Sequence, residues 1–207
     1  MAIEERYPVI IQAALEIFAR RGYHQASIRE IARAADLSLA GLYHYVRGKD
    51  ELLFLVLDHY LDALLAKLEA ALAEAVTPEA KLLGLIRTHL GFAFHQGAAL
   101  KLINRDVEVL SEPHRTRAAT KRQAYILRGL EILRALDPHD RSDEELLDAT
   151  NLLLGMLNGI ATRPFMSPAA SRNLAPVVED LFLHGFLGRP EPSREEESHV
   201  SVGGRSN

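Results

Sequence analysis

Two helix starts only eleven residues apart constrain this chain more than any other feature. Ser27-Ile28-Arg29-Glu30 is a capping box: the Ser27 hydroxyl accepts from the Glu30 amide, and Glu30 reaches back to the Ser27 amide. The box opens a short helix whose buried side is Ile28, Ile31, Ala32 and Ala35. Asp36-Leu37 makes the turn, because Asp tolerates left-handed backbone better than most residues. Ser38 then caps a second short helix that runs to about Tyr45. Ahead of both, a first helix is predicted from about Tyr7 to Arg21, with Pro8 in its opening turn and Gly22 as its stop. Its apolar face is Ile11, Ala14, Leu15 and Phe18. Two short helices joined by a tight turn and packed on a third form a helix-turn-helix unit.

The remainder also reads as helix. Val, Ile and Thr never alternate with polar residues, while Ala, Leu, Glu and Arg dominate. Lys49-Asp50-Glu51 opens a long helix to about Ala75, with acids suited to its N-terminal dipole. Pro78 and Pro113 open helices at about 79–95 and 114–136, with a shorter one near 99–110 between them. Further helices are predicted at about 143–163 and 172–187. The expected architecture is all-α, with a helix-turn-helix domain at 1–47 and a larger helical domain at 48–187. The segment 188–207 is Pro, Glu, Ser and Gly with almost nothing apolar, and reads as a disordered tail.

Charge and residue usage narrow the function. The 207 residues include no cysteine, which excludes disulfides, thiolate metal sites and a cysteine nucleophile. The net charge of −4 argues against a chain that coats nucleic acid indiscriminately. Residues 1–50 carry seven Lys/Arg and six Asp/Glu, against 17 and 22 in the rest, so any DNA contact is local and geometric. Acids near the start do not suit a secretory signal, and apolar runs such as 52–57 are too short to span a bilayer. The chain reads as cytoplasmic.

Four stretches go further than pattern. They are 13–23 (Ala-Ala-Leu-Glu-Ile-Phe-Ala-Arg-Arg-Gly-Tyr), 27–32 (Ser-Ile-Arg-Glu-Ile-Ala), Leu37-Ser38 with Leu42-Tyr43-His44-Tyr45, and Lys49-Asp50-Glu51-Leu52-Leu53. Together they closely resemble the N-terminal domain of the TetR family of transcriptional regulators. The chain departs from that pattern at Asp36, where Gly or Asn is usual, at Val46 for Phe, and at Gly41 for Ser or Thr. The resemblance implies a dimeric repressor that binds a palindromic double-stranded DNA operator and releases it on binding a small molecule. Ser27, Tyr43 and Lys49 correspond to residues that commonly hold the DNA backbone in this family.

Physical reasoning assigns matching roles. Ser38, Leu39, Ala40 and Gly41 form the slim end of a recognition helix, able to enter a major groove about 12 Å wide. Tyr43 and His44 sit one turn further, within reach of phosphate or a base edge. Ser27 and Lys49 mark helix starts whose free amides attract phosphate. Arg29 either reaches a base or pairs with a neighbouring acid. The bland alternatives are a core Tyr43 and a solvated Lys49.

For pairing of subunits, Leu174, Val177, Val178, Leu181, Phe182 and Gly185 form a stripe at helical spacing. Gly155 and Gly159, four residues apart on the preceding helix, would permit close helix approach. An internal core is the other reading of the same periodicity.

For an effector, Arg117, Lys121 and Arg128 fall on one helical face, a seat for phosphates beside apolar Leu85, Phe92, Leu102 and Met156. The segments around Asn104-Arg105-Asp106 and Leu154–Asn158 look similar to the acyl-CoA-responsive branch of the family, although Gly159-Ile160-Ala161 replaces its usual aromatics. The resemblance implies an acyl-CoA effector; Asn104, Arg105 and Asn158 from these segments, together with His89 and Arg163, complete the candidate binding set. A hydrophobic drug-like effector, or a solvated basic face over an ordinary core, are the alternatives.

An enzyme or a helical adaptor is the competing class. There is no Gly-rich phosphate loop, no GxSxG and no HExxH. Nine histidines invite a metal, but His89 and His95 face different sides of a helix, and His59 with Asp62 is only two groups. No catalytic residue, metal site or resident cofactor is assigned.

Overall fold

The structure, a computed structural model, describes residues 3–161 and 168–188. Its order begins with α1 (Ile3–Arg21), α2 (Ile28–Ala34), α3 (Leu39–Tyr43) and α4 (Lys49–Glu74). It continues through α5 (Pro78–His95), α6 (Gly97–Arg105), a 3₁₀ turn at Val107–Val109, α7 (His114–Leu136) and α8 (Asp143–Ala161). Finally α9 (Pro168–Asp180) passes into a π-helical turn at Leu181–Phe186. Among the described residues there is no strand, and no helix is long and apolar enough to cross a membrane.

Local chemistry sets the boundaries of the first three helices. α1 ends because Gly22 adopts φ +77°, a left-handed conformation that glycine takes without steric cost. The capping box starts α2: Arg29 N donates to Ser27 Oγ at 3.3 Å, and Ser27 N donates to Glu30 Oε2 at 3.3 Å. Asp36 makes the turn at φ 55°. Ser38 Oγ then caps α3 by accepting from Gly41 N at 2.9 Å. α3 stops at Tyr43, two residues short of its expected end, and α1 begins four residues earlier than expected, putting Pro8 in its second turn.

The helices pack around one apolar core. α1 lies on α2, α4 and α6, and α4 lies on α5 and α7. α5 carries α9 on one side and α8 on another, while α7 and α8 cross closely. At that crossing a side chain on Gly129 would meet Thr150 Cγ2 at 2.6 Å, so any larger residue would force the buried Thr150 to shift. The short α3 has too few hydrogen bonds to stand alone. It is held by Leu42, whose side chain is fully buried; burying a leucine stabilises by about 1.5–3 kcal/mol.

Candidate DNA interface and ligand chamber

Burying Leu42 turns the opposite side of α3 outward. Ala40, Tyr43 and His44 are exposed, and Tyr43 keeps 49% of its surface in solvent although it is a large aromatic. Leu39 and Gly41 are half-buried beside them, and a Cβ on Gly41 would stand 3.1 Å from the capping Ser38 oxygen. Arg29 is exposed on α2. Ala40, Tyr43 and His44 form a small exposed ridge on α3 that carries no Lys, Arg, Asp or Glu. A core role for Tyr43 is inconsistent with this exposure.

Lys49 opens α4 as expected, and its ammonium is bonded within the protein. Its Nζ donates to His24 O at 3.1 Å and Ala26 O at 3.0 Å, and sits 4.6 Å from the centre of the Tyr23 ring. The ammonium therefore ties the loop after α1 to the first turn of α4. Two of its three N–H groups are committed inside the protein, so Lys49 is more than a solvated surface cation.

Behind this unit, α4 meets the start of α7. Asp50 accepts from Ser111 N at 2.8 Å and from His114 Nδ1 at 2.6 Å. The His114 ring stacks on Phe54, centroids 4.5 Å apart, and Arg117 lies over the same ring at 4.8 Å. Sequence reasoning missed Asp50 and His114, because the residues are 64 positions apart.

Between α4, α5, α6, α7 and α8 lies an inner chamber of about 180 Å³. Leu61, Leu64, Leu100, Ile103, Ile126 and Leu154 supply apolar walls. A chain of polar groups crosses it. His89 Nδ1 lies 3.2 Å from Tyr125 Oη, His89 Nε2 lies 3.1 Å from Asn158 Oδ1, and Asn104 Nδ2 donates to that same oxygen at 2.8 Å. An amide oxygen only accepts, so Nε2 carries the imidazole proton and Nδ1 accepts from the Tyr125 hydroxyl. Burial pushes His89 down to about 4, against a smaller upward pull from its bond to Asn158, so the ring is neutral near pH 7. Burial likewise pushes the Tyr125 hydroxyl up, keeping it a donor.

At Leu100, Asn104 and Asn158 the chamber adjoins an outer cleft of about 690 Å³, walled also by Gly97, Lys101 and Gly159. Arg105 lines the cleft too, but forms a two-point ion pair with the buried Asp106 at 2.6 and 2.7 Å.

The expected effector residues divide accordingly. His89, Asn104 and Asn158 meet in the chamber and Arg105 lines the cleft. Leu85, Phe92 and Leu102 are instead fully buried in the core and Met156 packs against it, since those helix faces meet neighbouring helices rather than the cavity. Arg117, Lys121 and Arg128 turn toward α4: Lys121 bonds Asp58 and Asp62, and Arg128 bonds Glu69. The supposed phosphate seat is thus occupied by acids 59 to 63 residues away in the chain, and Arg117 by a ring. Arg163 lies outside the described residues. Tyr125, Arg122 and Asn151 line the chamber without having been anticipated; the 3.6-residue spacing of Arg122, Tyr125 and Ile126 was the available signal.

The stripe on α9 also splits. Val177 and Leu181 are exposed, 54% and 56%, as is Leu152 on α8. Val178 is 2% exposed and Leu174 half-buried, both packed into the protomer core, so Val178 is not available to a second subunit. Val177 and Val178 are about 100° apart around the helix, so one edge of the stripe lies in solvent and the other in the core. Phe182 and Gly185 are half-buried in the turn after α9. Gly155 and Gly159, expected at a helix contact, line the chamber and the cleft, and among the described residues no other side chain comes within 4 Å of a Cβ placed on either.

Residues 10–56 match the model of bacterial regulatory proteins of the tetR family, and residues 75–162 match a tetracyclin repressor-like C-terminal domain. Over 60 residues the chain is 43% identical to the HTH-type transcriptional regulator HbdR of Aromatoleum sp. (strain CIB), covering 29% of this chain and 26% of that protein. Over 84 residues it is 30% identical to the fatty acid metabolism regulator protein of Bacillus subtilis, covering 41% and 43%. The chain spans less than half the length of these two curated relatives. Among solved structures, a TetR-family transcriptional regulator from Bordetella parapertussis superposes with a TM-score of 0.77 at 28% identity, covering 90% of this chain and 98% of that one. AibR in complex with isovaleryl coenzyme A and operator DNA has the same fold, with a TM-score of 0.75 at 20% identity, covering 85% and 97%.

Proposed function

Because the chain belongs to the TetR family of bacterial regulatory proteins, we propose that it is a ligand-responsive transcriptional repressor. In this reading a dimer grips a palindromic operator with its two α3 ridges and lets go when a small molecule fills the chamber. One observation carries the reading: the course of α4. This helix starts at Lys49, directly behind the exposed Tyr43–His44 ridge, and contributes Leu61 and Leu64 to the chamber wall. A ligand that displaces those leucines tilts the lever to which the DNA-binding unit is tied. The two recognition helices of a dimer must sit about 34 Å apart to enter successive major grooves. A ligand that binds better to a state with another spacing draws the population away from DNA. Pairing through the exposed Leu152, Val177 and Leu181 is the arrangement that the surface favours.

The proposed effector is a CoA thioester of a fatty or aromatic acid. The inner chamber combines apolar walls and a neutral hydrogen-bonding chain with Arg122, and the adjoining cleft carries Lys101. Its volume lies below the roughly 300–1,000 Å³ of pockets for drug-sized ligands. That size suits a short acyl group, with the bulky remainder in the cleft. The fatty acid metabolism regulator of Bacillus subtilis and the fold shared with AibR lend support to this class. The test is a fluorescence-anisotropy titration on DNA that the protein selects from a random library. Short acyl-CoAs should release the DNA at concentrations where free CoA does not. Release by an uncharged hydrophobic compound, with none by any thioester, would replace the CoA reading.

A further inference from the structure

The cations of α7 fall into two sets. Arg115 holds Glu112, Arg117 covers Phe54, Lys121 bonds Asp58 and Asp62, and Arg128 bonds Glu69 and Glu131. Arg134 bonds Asp143. Arg122 differs from them all. Among the described residues it has no carboxylate partner, and it lines the inner chamber, one turn before Tyr125 and Ile126 on the same helical face. No Asp or Glu among the described residues lines either the chamber or the cleft. Arg122 is half-buried at this chamber without a carboxylate to offset its charge, so the site favours an anion over a neutral group.

We propose that Arg122 binds the anionic group of the effector, so that the ligand of this chamber carries a carboxylate or phosphate beside its apolar part. The inference rests on the ligand-chamber reading above and deepens it. The planar guanidinium matches either anion with two parallel hydrogen bonds. His89 cannot take that role, because both ring nitrogens are already bonded and the ring is neutral. The Tyr125–His89–Asn158–Asn104 chain is left for the uncharged part of the ligand.

The experiment is isothermal titration of the full-length protein with three probes sharing one acyl group: isovalerate, isovaleryl-CoA and the uncharged isovaleryl-pantetheine. Losing charge-assisted hydrogen bonds should weaken binding about tenfold or more. R122Q should therefore weaken an anionic probe by at least that factor and leave the uncharged probe unchanged. Loss for isovalerate identifies a carboxylate at Arg122; loss confined to isovaleryl-CoA identifies a phosphate. R122K should recover part of the affinity, and K121Q should change none of the three. If wild type and R122Q bind every probe equally, Arg122 is overturned and the chamber reading stands. If wild type takes up no probe, the acyl-ligand reading and this inference fall together.

Discussion

His114 donates its Nδ1–H to Asp50 Oδ2 at 2.6 Å, joining the first turn of α4 to the first turn of α7. The same carboxylate accepts from Ser111 N, and the imidazole stacks on Phe54. Burial works to raise the Asp50 pKa, but the Ser111 and His114 hydrogen bonds outweigh it and hold the carboxyl below its ordinary range. A depressed acid stabilises the fold above its unfolded value of 3.8, and this contribution is lost as pH falls through the lower folded value. D50N should cost about 1.5–3 kcal/mol, as loss of hydrogen bonds to a charged group does. Urea midpoints at pH 7 should show it, and the gap between wild type and variant should narrow only below about pH 4. A gap that persists unchanged at pH 2 would assign the loss to packing alone.

His89 supplies a separate pH dependence. Its folded value is pushed down to about 4 from 6.5 by burial, so the unfolded chain binds the extra proton first. Stability from this group is complete above 6.5 and falls as pH drops toward 4, by up to about 3 kcal/mol at 1.4 kcal/mol per unit. H89Q should flatten the slope of stability against pH between those values. An unaltered slope would place the titrating group elsewhere.

Lys49 and Tyr43 should respond oppositely. K49A frees the His24 and Ala26 carbonyls and should lower stability by roughly 1–3 kcal/mol, visible as a fall in Tm. Its DNA affinity should weaken with little change in salt slope, because the ammonium is tied internally. Y43F and Y43A should leave Tm within a degree or two while weakening DNA binding, since Tyr43 is exposed. A salt slope reduced by about one in K49A would restore the phosphate contact.

On α9, neighbouring residues separate pairing from folding. L181E puts a charge on the exposed apolar face and should convert dimers to monomers by light scattering, with protomer stability little changed. V178A removes buried methyls and should cost roughly 1–3 kcal/mol of stability while the dimer mass persists. Dimeric L181E protein would move the interface away from this face.

Sequence alone determined the helix boundaries near strong local signals and the helix-turn-helix unit built from them. The Ser27–Glu30 box, the Ser38 cap, Gly22 and Asp36 act within four residues of themselves, so their chemistry is complete in the local chain. Helical periodicity also put Arg117, Lys121 and Arg128 on a common face and Leu174 to Leu181 in one apolar stripe. Only tertiary structure decided what those faces meet. Lys121 finds Asp58 and Asp62, Lys49 finds the carbonyls of residues 24 and 26, and Val178 turns inward while Leu181 stays in solvent. The chamber itself needs five helices, with His89 bonded to groups 36 and 69 residues away. A helix's period tells which residues share a side, but the identity of the neighbour on that side depends on how separate helices pack, and that is a property of the whole chain.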